Sequence, residues 1–262
     1  MTLSDIGTTI ADASLDETMT VTAARALAAK RRVFAGIGMP TLAVALAQQT
    51  VAREIEVVYE SGVCGAHPIE LPATIADAVL ITGSEAVLTM STLFGSVLGG
   101  GRIDVGFLGA AQIDRFGNLN SSVIGEWERP EKRLPGSGGA LEVLANAREV
   151  FVVMRRHTQA AFVDRLDFCT SAGPERIRAA GGRSFGLGVT KVFTGLGVLS
   201  RSQVGEELTL TEVHRGVTPD QVVAATGWPL KIAADVHEIE APSPEELTLL
   251  RKKIDPKRVY LR

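Results

Sequence analysis

A glutamate that closes an apolar run and is followed almost at once by glycine is placed for chemistry, and Val57-Val58-Tyr59-Glu60-Ser61-Gly62 has that form. Residues 55–59 read as a buried strand, and in open α/β sheets ligands collect at the carboxyl ends of strands. A carboxylate there can serve as a nucleophile or as a general base. Alone, such a glutamate more commonly caps a turn or faces solvent. Two glycine-rich loops bear on the choice: Gly36-Ile37-Gly38-Met39-Pro40 and Gly136-Ser137-Gly138-Gly139-Ala140. Both let backbone N–H groups approach a ligand, although tight strand-to-helix turns also need glycine for steric reasons. The first lacks GxGxxG spacing and the second lacks Gly-Lys-Ser/Thr, so neither implies a nucleotide. A third stretch, residues 109–121, puts Asp114, Gly117 and Asn118 where a structural turn wants them.

These groups need a scaffold. Met19, Ala23, Ala24, Leu27 and Ala28 recur at helical spacing over residues 14–30, ahead of the short apolar run Val33-Phe34-Ala35. Pro40 suits the first turn of a second helix that ends near Gln49. Residues 78–82, 104–109 and 150–154 read as further strands and 140–147 as a helix. Alternation of this kind predicts an open, mostly parallel sheet with helices on both faces. From about residue 187 the texture changes, with 189–199 and 207–213 alternating like antiparallel strands. Short helices are expected after Thr218 and after Ser243, the latter opening on Ser-Pro-Glu-Glu. The expectation is therefore one α/β domain over residues 1–262, with 187–262 as a small C-terminal β-rich extension and no linker beyond the first dozen residues.

Composition narrows the function. The chain has 262 residues, 45% hydrophobic, and a formal charge of -3 without basic runs, which gives no reason to expect a nucleic-acid partner. Its two cysteines, Cys64 and Cys169, lack disulfide-framework or zinc spacing, so no metal is expected and a reducing compartment is. The N-terminus carries Asp5, Asp12 and Asp16 rather than a basic region, and the longest uncharged stretch, 86–101, is broken by Ser, Thr and Gly. A soluble cytoplasmic protein without a membrane span follows as the expectation.

The motifs GIGMP, YESGVCGAHPIELP, GAAQIDRFGNLNSS and GSGGA, in this order and at these separations, together resemble family I coenzyme A-transferases, specifically glutaconate CoA-transferase β-subunits. The likeness extends to Asp167-Phe168-Cys169-Thr170-Ser171, Gly188-Val189-Thr190, Glu240-Ala241-Pro242 and Ile254-Asp255-Pro256. It implies a Rossmann-type CoA-transferase fold with Glu60 as the covalent nucleophile. It further implies Gly138, Gly139 and Ala140 as backbone donors to an oxyanion. Gly36, Gly38 and Gln112 would belong to a substrate- or CoA-binding loop. No tightly bound cofactor is implied, because coenzyme A is part of the substrates. The partner implied is a homologous α-subunit in an α2β2 assembly acting on an acyl-CoA and a short dicarboxylic, 3-oxo dicarboxylic or simple 3-oxo acid.

Other readings stay open at this level. Glu60 could be a general base for hydrolysis of a CoA thioester or a β-diketone ring, although hydrolytic relatives of this fold lack the ESG glutamate. The chain could also be a non-reacting ligand-binding subunit. Cys64 and His67 lie near Glu60 in sequence but lack an activating third group. Tyr59 reads as a packing residue. His157, beside Arg155 and Arg156, is either part of a CoA-phosphate site or a solvated strand end.

Overall fold

A computed structural model of the chain describes residues 13–68 and 70–261; the first dozen residues, and with them Asp5 and Asp12, lie outside the described residues. The N-terminal helix α1 (Leu15–Arg25) starts at a capping box, in which the Ser14 hydroxyl accepts the Glu17 amide and the Glu17 carboxylate accepts the Ser14 amide. The chain continues through β1 (Arg32–Phe34), α2 (Met39–Gln49), β2 (Glu56–Val58), β3 (Val63–Cys64), β4 (Ala86–Val87), α3 (Met90–Thr92) and β5 (Val105–Leu108). Two small hairpins follow, β6 (Gln112–Ile113) with β7 (Leu119–Asn120), and β8 (Val123–Gly125) with β9 (Pro130–Arg133). Next come α4 (Ala140–Asn146), β10 (Glu149–Met154), α5 (Pro174–Ala179), β11 (Val189–Thr194), β12 (Gly197–Ser200) and β13 (Thr209–Val213). The chain closes with α6 (Pro219–Ala225), β14 (Lys231–Glu238) and α7 (Pro244–Thr248).

One ten-stranded sheet, in the order β14-β13-β12-β11-β10-β5-β1-β2-β3-β4, organises the chain. Its middle, β2-β1-β5-β10-β11, is parallel throughout. Side chains alternate across it. Val33, Val57, Tyr59, Phe107, Phe151 and Phe193 join α1 and α2 on one face, while Phe34, Val58, Val152 and Val192 join α4 on the other. Burial on both faces explains the near-continuous apolar runs of these strands. Phe107, Phe151 and Phe193 stack edge to face across neighbouring strands with centroids 5.6 and 5.7 Å apart, an arrangement that suits the aromatic quadrupole.

The structure corrects the expectation at two places. Residues 78–82 are not a strand: residues Ala78–Ile81 form a 3₁₀ turn in which only Leu80 is buried. The Asp77 carboxylate accepts the Ala73 and Val79 amides, and this local cap overrides the β preference of a four-residue apolar run. Residues 189–199 are two strands rather than one, because the Thr194 hydroxyl accepts the Leu196 and Gly197 amides and folds the chain into a β11–β12 hairpin. The C-terminal strands extend the main sheet edge to edge, with β10 pairing parallel to β11.

Candidate active site

Strand β2 delivers the chain to a tight turn over residues 59–62. The Gly62 amide donates to the Tyr59 carbonyl and the Tyr59 amide to the Val63 carbonyl, both at 2.9 Å, leaving Glu60 and Ser61 at the apex. Gly62 sits at φ 96°, and a Cβ there would lie 2.0 Å from the Leu88 carbonyl oxygen, so glycine is required. Strand alternation sends Tyr59 into the core on the α1/α2 face, where burial pushes its phenol up to about 12. Glu60 then emerges on the α4 face. The Ser61 hydroxyl beside it is buried without a hydrogen-bond partner among the described residues.

What meets Glu60 is the loop before α4. The Gly139 amide donates to Glu60 Oε1 at 3.0 Å, across 79 positions of sequence. Gly139 also begins α4, its carbonyl accepting the Val143 amide. A Cβ at Gly139 would stand 2.7 Å from Phe94 Cζ and 3.2 Å from Glu60 Oε1, so the loop approaches the carboxylate this closely only as glycine. Gly138, at φ 47°, lies against the same oxygen, which a Cβ there would meet at 3.5 Å. The Ala140 amide is turned inward instead and donates to the Ser137 carbonyl, so the three amides named from sequence do not all face the carboxylate.

Glu60 lines a cavity of about 400 Å³ with Phe34, Gly36, residues 107–111, Ser121, residues 134–137, Gly139 and Ala140. A second hollow, about 480 Å³, shares Gly36 and residues 107–109 with it and runs over Gly38, Met39 and Pro40 to Arg155 and Tyr260. Gly36 thus faces both hollows and Gly38 the second. Gln112 faces neither. Its amide nitrogen donates to Asp167 Oδ2 at 3.0 Å and its amide oxygen accepts from Asn120 at 2.8 Å, which places it in a buried polar layer rather than in a ligand loop. Ser121, Phe94 and Leu134 are site neighbours that sequence reasoning did not single out. Only Ser121 stood inside a motif, the GNLNSS stretch.

The competing constellations come apart. Cys64 is buried on β3, where burial pushes its thiol up, while His67 lines a different cavity on the Tyr59 side. His157 is neither at a phosphate site nor solvated. It is buried between the Thr194 and Thr226 hydroxyls, each 3.0 Å away, stacked on Phe162, and burial drives its pKa down to about 4. Asp114 does make the expected turn, accepting the Phe116 and Asn118 amides, with Gly117 at φ 76°. Among the described residues no group of three or more His, Cys, Asp or Glu is placed to hold a metal ion, and no helix is long and apolar enough to cross a membrane.

The open α/β sheet thus brings a strand-end carboxylate and a glycine-loop amide together in one cavity at its carboxyl edge, and similarity to known proteins gives the chain a family. A family model described as "Coenzyme A transferase" matches residues 16–225, and the chain belongs to that family of enzymes. It is 42% identical to one subunit of the 3-oxoadipate CoA-transferase of Pseudomonas knackmussii, covering 91% of this chain and 92% of that one. The corresponding subunit of glutaconate CoA-transferase from Acidaminococcus fermentans is 29% identical over 94% of each chain. The crystal structure of glutaconate coenzyme A-transferase from the same organism superposes with a TM-score of 0.88 at 26% identity, covering 95% of this chain and 98% of that one.

Proposed function

We propose that this chain is the nucleophile-bearing subunit of a CoA-transferase that works through a glutamyl-CoA thioester on Glu60. The observation that carries this is the 3.0 Å hydrogen bond from the Gly139 amide to Glu60 Oε1 inside a cavity at the sheet's carboxyl edge. With Oε1 held, Oε2 is the oxygen free to attack. It adds to the acyl-CoA thioester carbonyl, the C–S bond breaks, and CoA leaves as the thiolate from a mixed anhydride. The thiolate then attacks the Glu60 carbonyl carbon of that anhydride and expels the acyl group as its carboxylate. The incoming acid reverses both steps, so the thioester's free energy is retained. When thiolate adds to Glu60, Oε1 becomes the oxyanion, and a donor already within 2.7–3.1 Å costs no reorganisation at that moment.

The substrate proposed is a short dicarboxylic or 3-oxo dicarboxylic acid, with 3-oxoadipate the first to test. This rests on the 42% and 29% identical relatives and on no single residue. The partner proposed is a homologous α-subunit in an α2β2 assembly, supported by both of those relatives being named as subunits of their enzymes. It is also supported by the edge strand β4 two strands from Glu60, where Val87, and Met90 at the start of the following α3, are more than half exposed. The chain alone is expected to be inactive, and robust transfer without a partner contradicts the assignment.

The test of the mechanism is chemical. Incubating the assembled enzyme with acyl-CoA and then borohydride should reduce the glutamyl thioester and change the mass of the Glu60 peptide. Glu60→Asp withdraws the carboxylate by one methylene, about 1.5 Å, and should lose nearly all transfer. Transfer with no modified peptide and single-displacement kinetics refutes the covalent route. Hydrolysis of acyl-CoA with no transfer to any acid establishes the general-base reading in its place.

A further inference from the structure

The polar motifs at residues 109–121 and 167–171 are larger than a turn requires, and the structure shows what they build. Gln112 clamps Asp167 on one side and Asn120 on the other. The Asn120 side-chain oxygen accepts the Ser122 amide at 3.0 Å and lies 3.4 Å from the Thr170 hydroxyl. That hydroxyl accepts the Ser121 amide at 2.9 Å. Ser121 then reaches the glycine-rich loop: its hydroxyl donates to the Gly136 carbonyl at 2.8 Å, and its own carbonyl accepts the Gly136 amide at 2.9 Å. Three residues beyond Gly136 stands Gly139, the donor to Glu60.

We infer that Ser121 is a positioning residue for the reaction, fixing through Gly136 the distance between the Gly139 amide and the reacting carboxylate. The inference rests on the reading of Glu60 as that carboxylate. Three glycines in four positions, two of them at positive φ, give this loop more conformational freedom than any other residue type would. A donor can be held to a few tenths of an ångström only if such a segment is tied from outside. The Ser121 backbone pair ties one point, and the hydroxyl bond, on the cavity wall, removes the remaining rotation about it. Since the hydroxyl proton is committed to Gly136, Ser121 acts through the loop rather than on the substrate.

The experiment uses the assembled enzyme with succinyl-CoA and 3-oxoadipate. Ser121→Ala should lower kcat roughly three- to tenfold, the loss of one partly buried hydrogen bond, with KM little changed. Borohydride-trapped label on the Glu60 peptide should form more slowly by the same factor, and Ser121→Thr, which keeps the hydroxyl, should restore it. Thr170→Val should act in the same direction, and the double variant should fall short of the product of the two. A Ser121→Ala enzyme that labels and turns over like wild type overturns the inference. So does a loss in both variants that merely tracks the folded fraction measured by thermal melting. If the wild-type Glu60 peptide is never labelled, it is the reading of Glu60 that fails, and the positioning role falls with it.

Discussion

Replacing Gly139 by alanine tests the central contact with little chemical change elsewhere. The new methyl would stand 2.7 and 2.8 Å from two ring carbons of Phe94 and 3.2 Å from Glu60 Oε1. Ordinary carbon contacts lie near 3.5–4.0 Å, so either the ring or the loop must give by most of an ångström. Overpacking of this kind costs roughly 1–3 kcal/mol, and at this chain length that lowers Tm by roughly 2–10 °C. Separately, the loop cannot keep its amide on Oε1 while its methyl is pressed against the same oxygen. Losing one oxyanion donor typically costs about 10²–10³ in rate, and kcat should fall by about 10². Gly138→Ala provides the control. Its Cβ would meet Oε1 at an acceptable 3.5 Å, but its φ of 47° imposes about 1–2 kcal/mol of left-handed strain. That variant should lose comparable stability and much less turnover. The assay is a thermal melt of each variant beside steady-state transfer kinetics of the assembled enzyme. Equal losses of kcat in the two variants, or near wild-type kcat in Gly139→Ala, would refute the role given to the Gly139 amide.

Other consequences follow from buried groups away from the site. Burial holds His157 near pKa 4 against an ordinary 6.5, so the native state keeps it neutral while the unfolded chain takes up a proton. The His157 contribution to stability is therefore complete above about pH 6.5 and declines as pH falls toward 4, by roughly 3 kcal/mol at full titration. Denaturant midpoints between pH 7 and 4.5 should show the decline, and His157→Gln should flatten it; an unchanged slope in that variant excludes His157 as the cause. Arg201, with a fully buried side chain, pairs with Glu175 at 2.6 Å and donates to the carbonyls of Leu187, Val189 and Glu206. Arg201→Ala leaves those carbonyls without their donor and the part-buried Glu175 carboxylate with the Gly205 amide in place of its ion pair, and should cost roughly 3–5 kcal/mol, read as a large fall in Tm; a loss below about 1 kcal/mol contradicts the account.

Much of the fold is legible in the chain itself, because apolar periodicity and glycine placement are local properties. The runs at Val33, Val57, Val105 and Val150 became the parallel strands β1, β2, β5 and β10, and both Ser243 and Thr218 opened helices with capping boxes. Residues 78–82 mislead, since four apolar residues carry no period and the Asp77 cap that decides them is a side-chain contact. Glu60 itself could be named from sequence, by its motif and by family resemblance. Its hydrogen bond to Gly139 could only be expected, for it joins residues 79 apart and depends on the packing of α4 against β5 and β10. The sequence also placed Gln112 and the Ala140 amide at the ligand, and the tertiary structure commits Gln112 and that amide to neighbours within the protein, while Ala140 itself still lines the Glu60 cavity. Local pattern therefore determined which residue types stand at the sheet's carboxyl edge. Which of their N–H and C=O groups remain available for chemistry was decided only when distant segments packed and satisfied the rest.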